Sequence, residues 1–248
     1  MIDIKEEIRK YWDVRSKDYD SSPGHADLQE DWKRVLSDVF EEKMRILDVG
    51  TGTGFLAILL AELGHEVVGV DISEGMLKVA REKARKAGLD VKFEVADAEN
   101  LPFDDEEFDA VVCRHVLWTL PNPERALREW ARVVKAGGKV IVIDGNWSEN
   151  GAFTTLKRVI GRIGLAIYER RLPRNAYRKE IREKLPCYRS LTEERVAELM
   201  ERAGLTPTSI RDLGWIRRKI LERRPIFYRL TWSGRSYFLI EGVKEVKV

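Results

Sequence analysis

Short apolar runs alternate with helical stretches through the first 145 residues of this 248-residue chain. Five runs have the length and β-branched content of buried strands, and each is followed by a turn or loop. They cover residues 45–49, 66–71, 91–95, 108–113 and 139–144. Strands that alternate with helices pair in parallel, and the helices then cover both faces of the sheet. The pattern predicts a doubly wound α/β fold, whose ligands bind at the carboxyl ends of the strands.

The rest of the chain is predicted to build onto this core. We expect one domain of four parts, at residues 1–42, 43–145, 146–190 and 191–248. The first part holds two helices, and the third is a basic, aromatic, helical insertion. In the fourth part Thr192 begins a capped helix. Two further strands are expected at residues 206–213 and 237–243.

The first strand ends in a glycine-rich turn, Asp48-Val49-Gly50-Thr51-Gly52-Thr53-Gly54. Glycine lacks a Cβ atom and accepts positive φ, so a ligand can lie against the backbone of such a turn. The second strand ends at Asp71, whose carboxylate can accept hydrogen bonds from both hydroxyls of a ribose. Together the two features predict a cofactor that contains a nucleoside.

The turn does not fit the common phosphate-binding motifs. A dinucleotide site needs Gly or Ala at the sixth position of G-x-G-x-x-G, where this chain has Phe55. The P-loop pattern G-x-x-x-x-G-K-[ST] does not occur in the sequence. Asp48 would repel a phosphate group but suits the cationic amino group of an amino acid. The turn therefore favours a nucleoside cofactor without a pyrophosphate.

The composition excludes several other classes of protein. No apolar run approaches the ~20 residues of a membrane helix, and the first residues lack the apolar core of a signal peptide. Two cysteines, Cys113 and Cys187, cannot build a disulfide framework. The three histidines are not spaced as metal ligands. We expect a soluble, reduced, cytoplasmic protein, and its single glutamine among many Glu, Lys and Arg residues is typical of heat-adapted organisms.

The net charge of +2 conceals two oppositely charged parts. Residues 1–110 hold 27 acidic and 15 basic side chains, whereas residues 151–248 hold 23 basic and 11 acidic ones. The basic part either faces an anionic partner, a small molecule or a nucleic acid, or forms a solvated charged surface. Basic and aromatic residues also alternate at 215–229, a pattern found on nucleic-acid-binding surfaces.

These motifs resemble those of the class I S-adenosylmethionine-dependent methyltransferases, in the methyltransferase type 11 subgroup that contains the ubiquinone/menaquinone-type enzymes. The resemblance covers residues 10–145 and rests on segments 46–54, 68–77, 96–103, 108–115 and 137–140. It implies a Rossmann-like sheet of seven strands, mostly parallel with the last strand antiparallel. It also implies a helical N-terminal lid, a helical insertion after strand five, S-adenosylmethionine as cofactor and S-adenosylhomocysteine as product.

The resemblance assigns the cofactor contacts residue by residue. Asp71 would bind the ribose and Ile72 would pack on the adenine ring. Asp97 would accept a hydrogen bond from the adenine amino group, and the Ala98 amide would meet the ring. The predicted cofactor-binding residues are Tyr11, Tyr19, Asp48, Gly50, Thr51, Gly52, Gly54, Asp71, Ile72, Met76, Asp97, Ala98 and Arg114.

Two of these tyrosines lie in the segment that resembles the lid of the subgroup. There Tyr11 and Tyr19 would approach the amino acid end of the cofactor. The alternative is a helix that packs its aromatic residues on the surface of the domain. Arg114 and His115 end the fourth motif, beside the methionine part.

His115 is the only histidine expected near the cofactor, and its ordinary pKa suits a general base. The alternatives are a core histidine and a wall of the cofactor site, and the sequence identifies no partner for a catalytic dyad. The predicted substrate residues are His115, Trp118, Asn146 and Trp147. Trp118 fits the core equally well. Further candidates are Tyr168, Tyr177, Tyr188, Arg170, Arg171, Arg174 and Arg178, of which the arginines would hold a carboxylate or phosphate or simply be solvated.

Three functions are compatible with the sequence. The first is methyl transfer by in-line displacement to a small molecule, which can be anionic; the lid-like N-terminus favours it. The second is an RNA or protein methyltransferase whose basic C-terminal half is the docking surface. The run Cys113-Arg114-His115-Val116 lacks the Asn/Asp-Pro-Pro-aromatic pattern of enzymes that methylate adenine amines in nucleic acids. The third is a cofactor-binding protein without catalysis.

Overall fold

A twisted sheet flanked by helices organises the chain. The computed structural model describes residues 3–146, 152–169, 177–188, 190–232 and 236–246. In these residues seven strands form one sheet: β1 Arg45–Val49, β2 Glu66–Asp71, β3 Lys92–Val95, β4 Phe108–Arg114, β5 Val134–Asn146, β6 Leu205–Asp212 and β7 Ser236–Lys244. The helices are α1 Ile4–Arg15, α2 Gln29–Val39, α3 Phe55–Glu62, α4 Glu74–Lys86, α5 Pro123–Val133, α6 Ala152–Glu169, α7 Lys179–Arg182, α8 Glu193–Arg202, α9 Gly214–Glu222 and α10 Ile226–Thr231.

The strand order is β3-β2-β1-β4-β5-β7-β6. The first five strands pair in parallel, and β7 lies between β5 and β6 and runs antiparallel to both. The predicted seven-stranded, mostly parallel sheet with an antiparallel last strand is therefore confirmed. The chain reverses its direction of travel across the sheet between β1 and β4, and ligands bind at such a switch point in doubly wound folds.

Local sequence explains where most of the helices begin. Ser73 caps α4 by accepting a hydrogen bond from the backbone N–H of Met76, and Thr192 caps α8 in the same way. The sequence also predicts Asn122 as the cap of α5, but its side chain makes no capping bond. Instead the backbone N–H of Asn122 donates to the buried carboxylate of Glu99 at 2.7 Å. Pro123, which has no N–H to satisfy, opens the helix.

Two regions differ from the predicted outline. The fifth strand is predicted at 139–144 after Gly137 and Gly138, but both glycines lie inside β5, because β5 starts at Val134. The register between β4 and β5 shifts there, and a Cβ atom at Gly138 would lie 2.6 Å from the carbonyl oxygen of Asp109. The basic stretch 215–229 forms α9 and α10 rather than a plain connection.

The hydrophobic core occupies both faces of the sheet. Trp130 and Leu127 are fully buried on one face, and Trp32, Leu36 and Leu60 on the other. Within the described residues the helices are all too short or too polar to cross a bilayer. Helices on both faces leave the ends of the strands as the accessible edge of the sheet.

A matched pair of glycines tests how tightly α3 is packed. Gly54 and Gly64 flank α3 and have φ angles of +79° and +92°. A Cβ atom at Gly54 would lie 3.0 Å from that of Ala80 and 3.3 Å from the Phe93 ring, whereas a Cβ at Gly64 meets nothing within 4 Å. Both Gly→Ala variants carry the cost of about 1–2 kcal/mol for a left-handed L-residue, and Gly54→Ala also overpacks, by about 1–3 kcal/mol. Urea denaturation should show a larger loss in the free energy of unfolding for Gly54→Ala than for Gly64→Ala. Equal losses in the two variants would contradict this account.

Candidate functional site

The glycine turn between β1 and α3 opens a cleft at the switch point of the sheet. Gly50 and Gly52 have φ angles of +65° and +56°, which L-residues with side chains rarely adopt. A Cβ atom at Gly50 would overlap Val116. At Gly52 the nearest atoms to a Cβ would be 4.0 Å away, so this backbone faces open space. A ligand can therefore approach the turn directly.

Asp71 joins the turn to the end of β2. Its carboxylate accepts hydrogen bonds from the backbone N–H groups of Gly52 and Ser73, both at 2.9 Å. The residue is only 9% exposed, and burial raises the pKa of its carboxyl group to about 6, although these two hydrogen bonds oppose the rise. Asp71 lines the cleft, where hydroxyl donors would stabilise the charged form.

The cleft encloses about 720 Å³ of empty space, including space open to solvent. Its walls come from the ends of β1, β2 and β4 and from α1. The predicted residues that line it are Tyr19, Gly50, Gly52, Asp71, Ile72, Met76, Asp97, Ala98, Arg114 and His115. The fold thus brings most of the predicted cofactor set to one place.

Lys5, which was not predicted, closes one end of this cleft. Its Nζ lies 2.6 Å from a carboxylate oxygen of Asp97 and 2.6 Å from one of Glu99. Glu99 is almost fully buried, so its charge needs such a partner. No local pattern reveals the contact, because Lys5 and Asp97 are 92 residues apart. The pair ties α1 to the loop that follows β3.

Two further aspartates fasten the N-terminal segment over the cleft. Asp13 on α1 accepts from the Ser73 hydroxyl at 2.6 Å and from the Gly75 N–H at 3.1 Å. Asp20 accepts from the Thr53 hydroxyl at 2.6 Å and pairs with Lys83 at 2.9 Å. The segment that resembles a lid is therefore held against α4 and the glycine turn.

Arg114 offers a second cation to the cleft. Its buried guanidinium lies over the Phe55 ring, 4.2 Å from the centroid, and Nη2 donates to the carbonyl oxygen of His25 at 2.5 Å. Nη1 makes no hydrogen bond to any of the described residues. Because a buried guanidinium N–H is costly without an acceptor, this atom fits a carboxylate held in the cleft.

Three predicted cofactor residues lie behind the cleft. The nearly buried carboxylate of Asp48 accepts from the Thr51 hydroxyl at 2.6 Å and from the Ala57 N–H at 3.1 Å, and burial raises its pKa to about 7. These bonds hold the turn onto α3, and neither Asp48 nor Thr51 lines the cleft. Gly54 begins α3 and packs on α4. The predicted contact of Asp48 with an amino group is therefore not part of this geometry, because its side chain points into the core.

Tyr11 belongs to a second, aromatic cavity of about 640 Å³ beside the first. This aromatic cavity is lined by Tyr11, Trp12, Arg15, Tyr19, Pro23, His25, His115, Trp118, Trp232 and Tyr237. Trp12, Tyr19 and His115 line both cavities. The two spaces therefore meet at these three residues.

The remaining substrate candidates are scattered. Asn146 lines neither cavity, since its side chain donates to Glu193 on α8 at 3.1 Å. Tyr177 is buried against Tyr11, with ring centroids 4.8 Å apart. Tyr188 packs near Trp118, Tyr168 is exposed on α6, Arg178 pairs with Glu7, and Trp147, Arg170, Arg171 and Arg174 lie outside the described residues.

His115 has a partner that sequence reasoning missed. Its Nδ1 lies 3.1 Å from a carboxylate oxygen of Asp144, which is fully buried and also accepts from the Gly145 N–H at 2.7 Å. His115 has a φ of +60°, a strained conformation for a residue with a side chain. Burial lowers the pKa of the imidazole, and the hydrogen bond to Asp144 opposes that effect. The neutral ring therefore predominates near pH 7, with Nδ1–H directed at Asp144.

A signal for Asp144 existed in the sequence. It ends the predicted fifth strand as His115 follows the fourth, and Arg114 of β4 pairs in register with Ile143 of β5. Neighbouring parallel strands bring their carboxyl ends together, so the two side chains were candidates for contact.

The described residues contain no cluster of three or more His, Cys, Asp or Glu side chains that could hold a metal ion.

Fold and cleft together are those of an α/β domain with an open cleft at the carboxyl ends of its parallel strands. Residues 47–142 match the family model described as a methyltransferase domain. The demethylmenaquinone methyltransferase of Thermus thermophilus is 44% identical over 138 residues, which are 54% of this chain and 62% of that protein. The match covers 62% of that protein, and it covers 40% and 48% of the next two curated relatives. The chain thus spans about half the length of the relatives it matches.

Two solved structures share the fold. The cyclase SpnF has a TM-score of 0.69 at 20% identity, covering 98% of this chain and 97% of that chain. The phosphoethanolamine N-methyltransferase 2 of Haemonchus contortus, in complex with S-adenosyl-L-methionine, has a TM-score of 0.69 at 20% identity, covering 99% of this chain and 61% of that chain. At these identities the likeness concerns the fold alone, and the cyclase illustrates that one fold supports different reactions.

Residues 47–142 thus form a methyltransferase domain, and the relatives that it resembles include proteins named demethylmenaquinone methyltransferase and ubiquinone/menaquinone biosynthesis C-methyltransferase. The match to a methyltransferase domain supports S-adenosylmethionine as the cofactor.

Cofactor binding should depend on the ionisation of Asp71. Its carboxyl group has a pKa of about 6, so it is charged and able to accept from ribose hydroxyls above that pH and is neutralised below it. We expect full affinity for S-adenosylmethionine at pH 7–8 and a loss of about tenfold per unit as the pH falls well below 6. Because binding favours the charged form, it should release a proton near pH 6.

Isothermal titration in two buffers of different ionisation enthalpy measures both effects. Asp71→Asn should bind ~10–100-fold more weakly at pH 8 and lose the proton release. Asp48→Asn removes the neighbouring carboxyl group, which lies outside the cleft, and this variant should keep the proton release. An affinity that is constant from pH 5 to 8 in the wild-type protein would exclude this role of Asp71.

Proposed function

We propose that this chain methylates a small molecule bound in the aromatic cavity, with His115 as the general base and Asp144 as its positioning partner. The observation that carries the proposal is the junction of the two cavities. His115 lines both the cofactor cleft and the aromatic cavity, and Trp12 and Tyr19 line both beside it. A base at such a junction can meet an acceptor that faces the cofactor.

The residues of the cleft fit the contacts proposed for the separate parts of the cofactor. Asp71 offers a carboxylate for the ribose and Gly52 an open backbone for close approach. Asp97, which pairs with Lys5, and Ala98 line the cleft for the adenine, and the Arg114 guanidinium lines it for the carboxylate. Bound S-adenosylmethionine supplies an electrophilic methyl group with a good, neutral leaving group. The contribution expected of the protein is alignment of the acceptor, worth ~7–11 kcal/mol in favourable cases.

The lining of the aromatic cavity selects the kind of acceptor. Six of its ten lining residues are Tyr or Trp, and no carboxylate lines it among the described residues. Among the described lining residues Arg15, which pairs with Asp18, carries the one permanent charge. Aromatic walls favour a flat ring, and the guanidinium favours a neutral or anionic molecule over an ammonium compound. We therefore propose an aromatic or quinol-like acceptor that carries a hydroxyl group or an acidic carbon.

Such an acceptor must lose a proton as it is methylated. The His115 imidazole is neutral near pH 7 because burial lowers its pKa, so Nε2 can accept that proton. Asp144 holds the Nδ1–H at 3.1 Å and stabilises the charged ring once the proton has moved. The chain supplies these two roles from the ends of adjacent strands.

The tail offers little support for an RNA or protein acceptor. Lys219 pairs with Asp31 at 2.7 Å and Arg224 with Asp27 at 3.0 Å. Arg217 is buried and stacks on Trp232, 3.8 Å from the ring centroid. Lys219 and Arg224 of the stretch 215–229 therefore meet acids of the N-terminal half, and Arg217 is buried. We accordingly propose that residues 1–42 are a lid and residues 146–190 a cap for a small-molecule site.

Labelled methyl transfer tests the proposed acceptor class. Incubation with radiolabelled S-adenosylmethionine and fractionated cell extract should place the label in the small-molecule fraction, in compounds that absorb as aromatic rings. Prior ribonuclease or protease treatment should leave the yield unchanged. Label in a ribonuclease- or protease-sensitive fraction would overturn the proposal in favour of a macromolecular acceptor.

The two members of the dyad should differ in a measurable way. His115→Gln should lower kcat by ~10²–10⁴-fold because the base is lost. Asp144→Asn should lower it less and shift the acidic limb of the pH–rate profile to lower pH, because the carboxylate raises the pKa of His115. The profile is recorded from pH 5 to 9, with the thermal midpoint as a check of folding. If the acidic limb of the pH–rate profile does not shift in Asp144→Asn, the Asp144 carboxylate does not act through His115.

A further inference from the structure

The helix α6 turns its large apolar side chains away from the protein. Five aliphatic residues recur at intervals of three and four positions and are 45% to 74% exposed: Leu156, Val159, Ile160, Ile163 and Ile167. This spacing places them on one face of a helix. A helix that packs on a core would bury this face, so its exposure calls for a partner.

The face of α6 that packs inward carries small residues. Gly161 and Gly164 are buried against α10, and a Cβ atom at these positions would overlap Thr231 and Phe227 respectively. The close approach to α10 therefore uses the glycines. Among the described residues none covers the aliphatic stripe.

The charge on and near α6 is mainly positive. Residues 152–169 contain Lys157, Arg158 and Arg162 and a single acid, Glu169; Arg158 is buried. Arg162 is exposed, and Arg223 and Arg229 are exposed on the neighbouring α9 and α10 region. An aliphatic stripe beside basic side chains is typical of helices that lie in the interface of an anionic bilayer.

We infer that α6 docks this protein on anionic lipid membranes, with the stripe at the level of the acyl chains and the basic residues at the headgroups. A second copy of the chain fits less well, because a two-fold contact would bring the same basic residues together. The helix is 18 residues long, about 27 Å at the standard rise, and lies along the surface rather than across it.

The position of α10 connects this surface with the interior. Trp232, which follows α10, lines the aromatic cavity. A docked α6–α10 pair would therefore hold that cavity close to the lipid, which would suit an acceptor that partitions into membranes. This last step rests on the proposed function, whereas docking itself does not.

Vesicle co-sedimentation of the full chain tests the inference without substrate or cofactor. We expect binding to equimolar phosphatidylcholine and phosphatidylglycerol at least ~10-fold stronger than to phosphatidylcholine alone, weakened by raised salt. Ile163→Glu and Arg162→Glu should each weaken binding to the anionic vesicles by ~10-fold or more. Ile210→Glu, at a side chain that is 55% exposed on β6, is the matched control and should bind as the wild type does.

Two outcomes would overturn the inference. One is absence of vesicle binding by the wild-type chain. The other is a dimer in sedimentation velocity that Ile163→Glu dissociates, which would assign the stripe to a second copy. Cofactor titration of the same variants separates this result from a failure of the proposed function, because S-adenosylmethionine binding does not involve α6.

Discussion

The buried carboxylate of Asp71 is the contact on which the cleft depends. It joins the glycine turn after β1 to the start of α4 by accepting from Gly52 and Ser73. Both donors are backbone groups, so the bonds hold the chain itself in place. The same carboxylate faces the cleft with a raised pKa, because the hydrogen bonds only partly offset the burial of its charge. A hydroxyl-bearing ligand would supply the remaining donors, so the site is arranged for a group that is not part of the protein.

The electrostatic asymmetry of the chain has a structural explanation. Acidic residues of the N-terminal half meet basic residues of the tail in pairs such as Asp31 with Lys219 and Glu7 with Arg178. The exposed pairs each contribute little, on the order of 0–1 kcal/mol. Their combined effect is to orient the N-terminal segment and the C-terminal helices around the two cavities. Some of the basic residues of the tail thus complement the acidic N-terminal half rather than form a docking surface for nucleic acid.

The two cavities differ in how far local sequence anticipated them. The sequence named many of the residues that line the cleft, since the ends of adjacent parallel strands carry them. Asp48, Thr51 and Gly54 of the turn do not line it, and the Asp48 carboxylate accepts from the Ala57 N–H of α3 instead. Of the residues that line the aromatic cavity, Trp118 and His115 were predicted for the substrate and Tyr11 for the cofactor. Trp232 and Tyr237 also line it, and they arrive from the opposite end of the chain through α10 and β7.

The sequence by itself determined the order of strands and helices, the glycine turn and the acids at the strand ends. These features depend on hydrophobic period and on backbone conformations that only particular residues adopt. Tertiary structure alone decided that Lys5 would meet Asp97 across 92 residues and that His115 would meet Asp144 across 29. It also decided which face of α6 turns inward. The spacing of the apolar residues predicts a helix with two unlike faces. Only the face that carries the glycines can pack closely against α10, so the aliphatic face remains exposed.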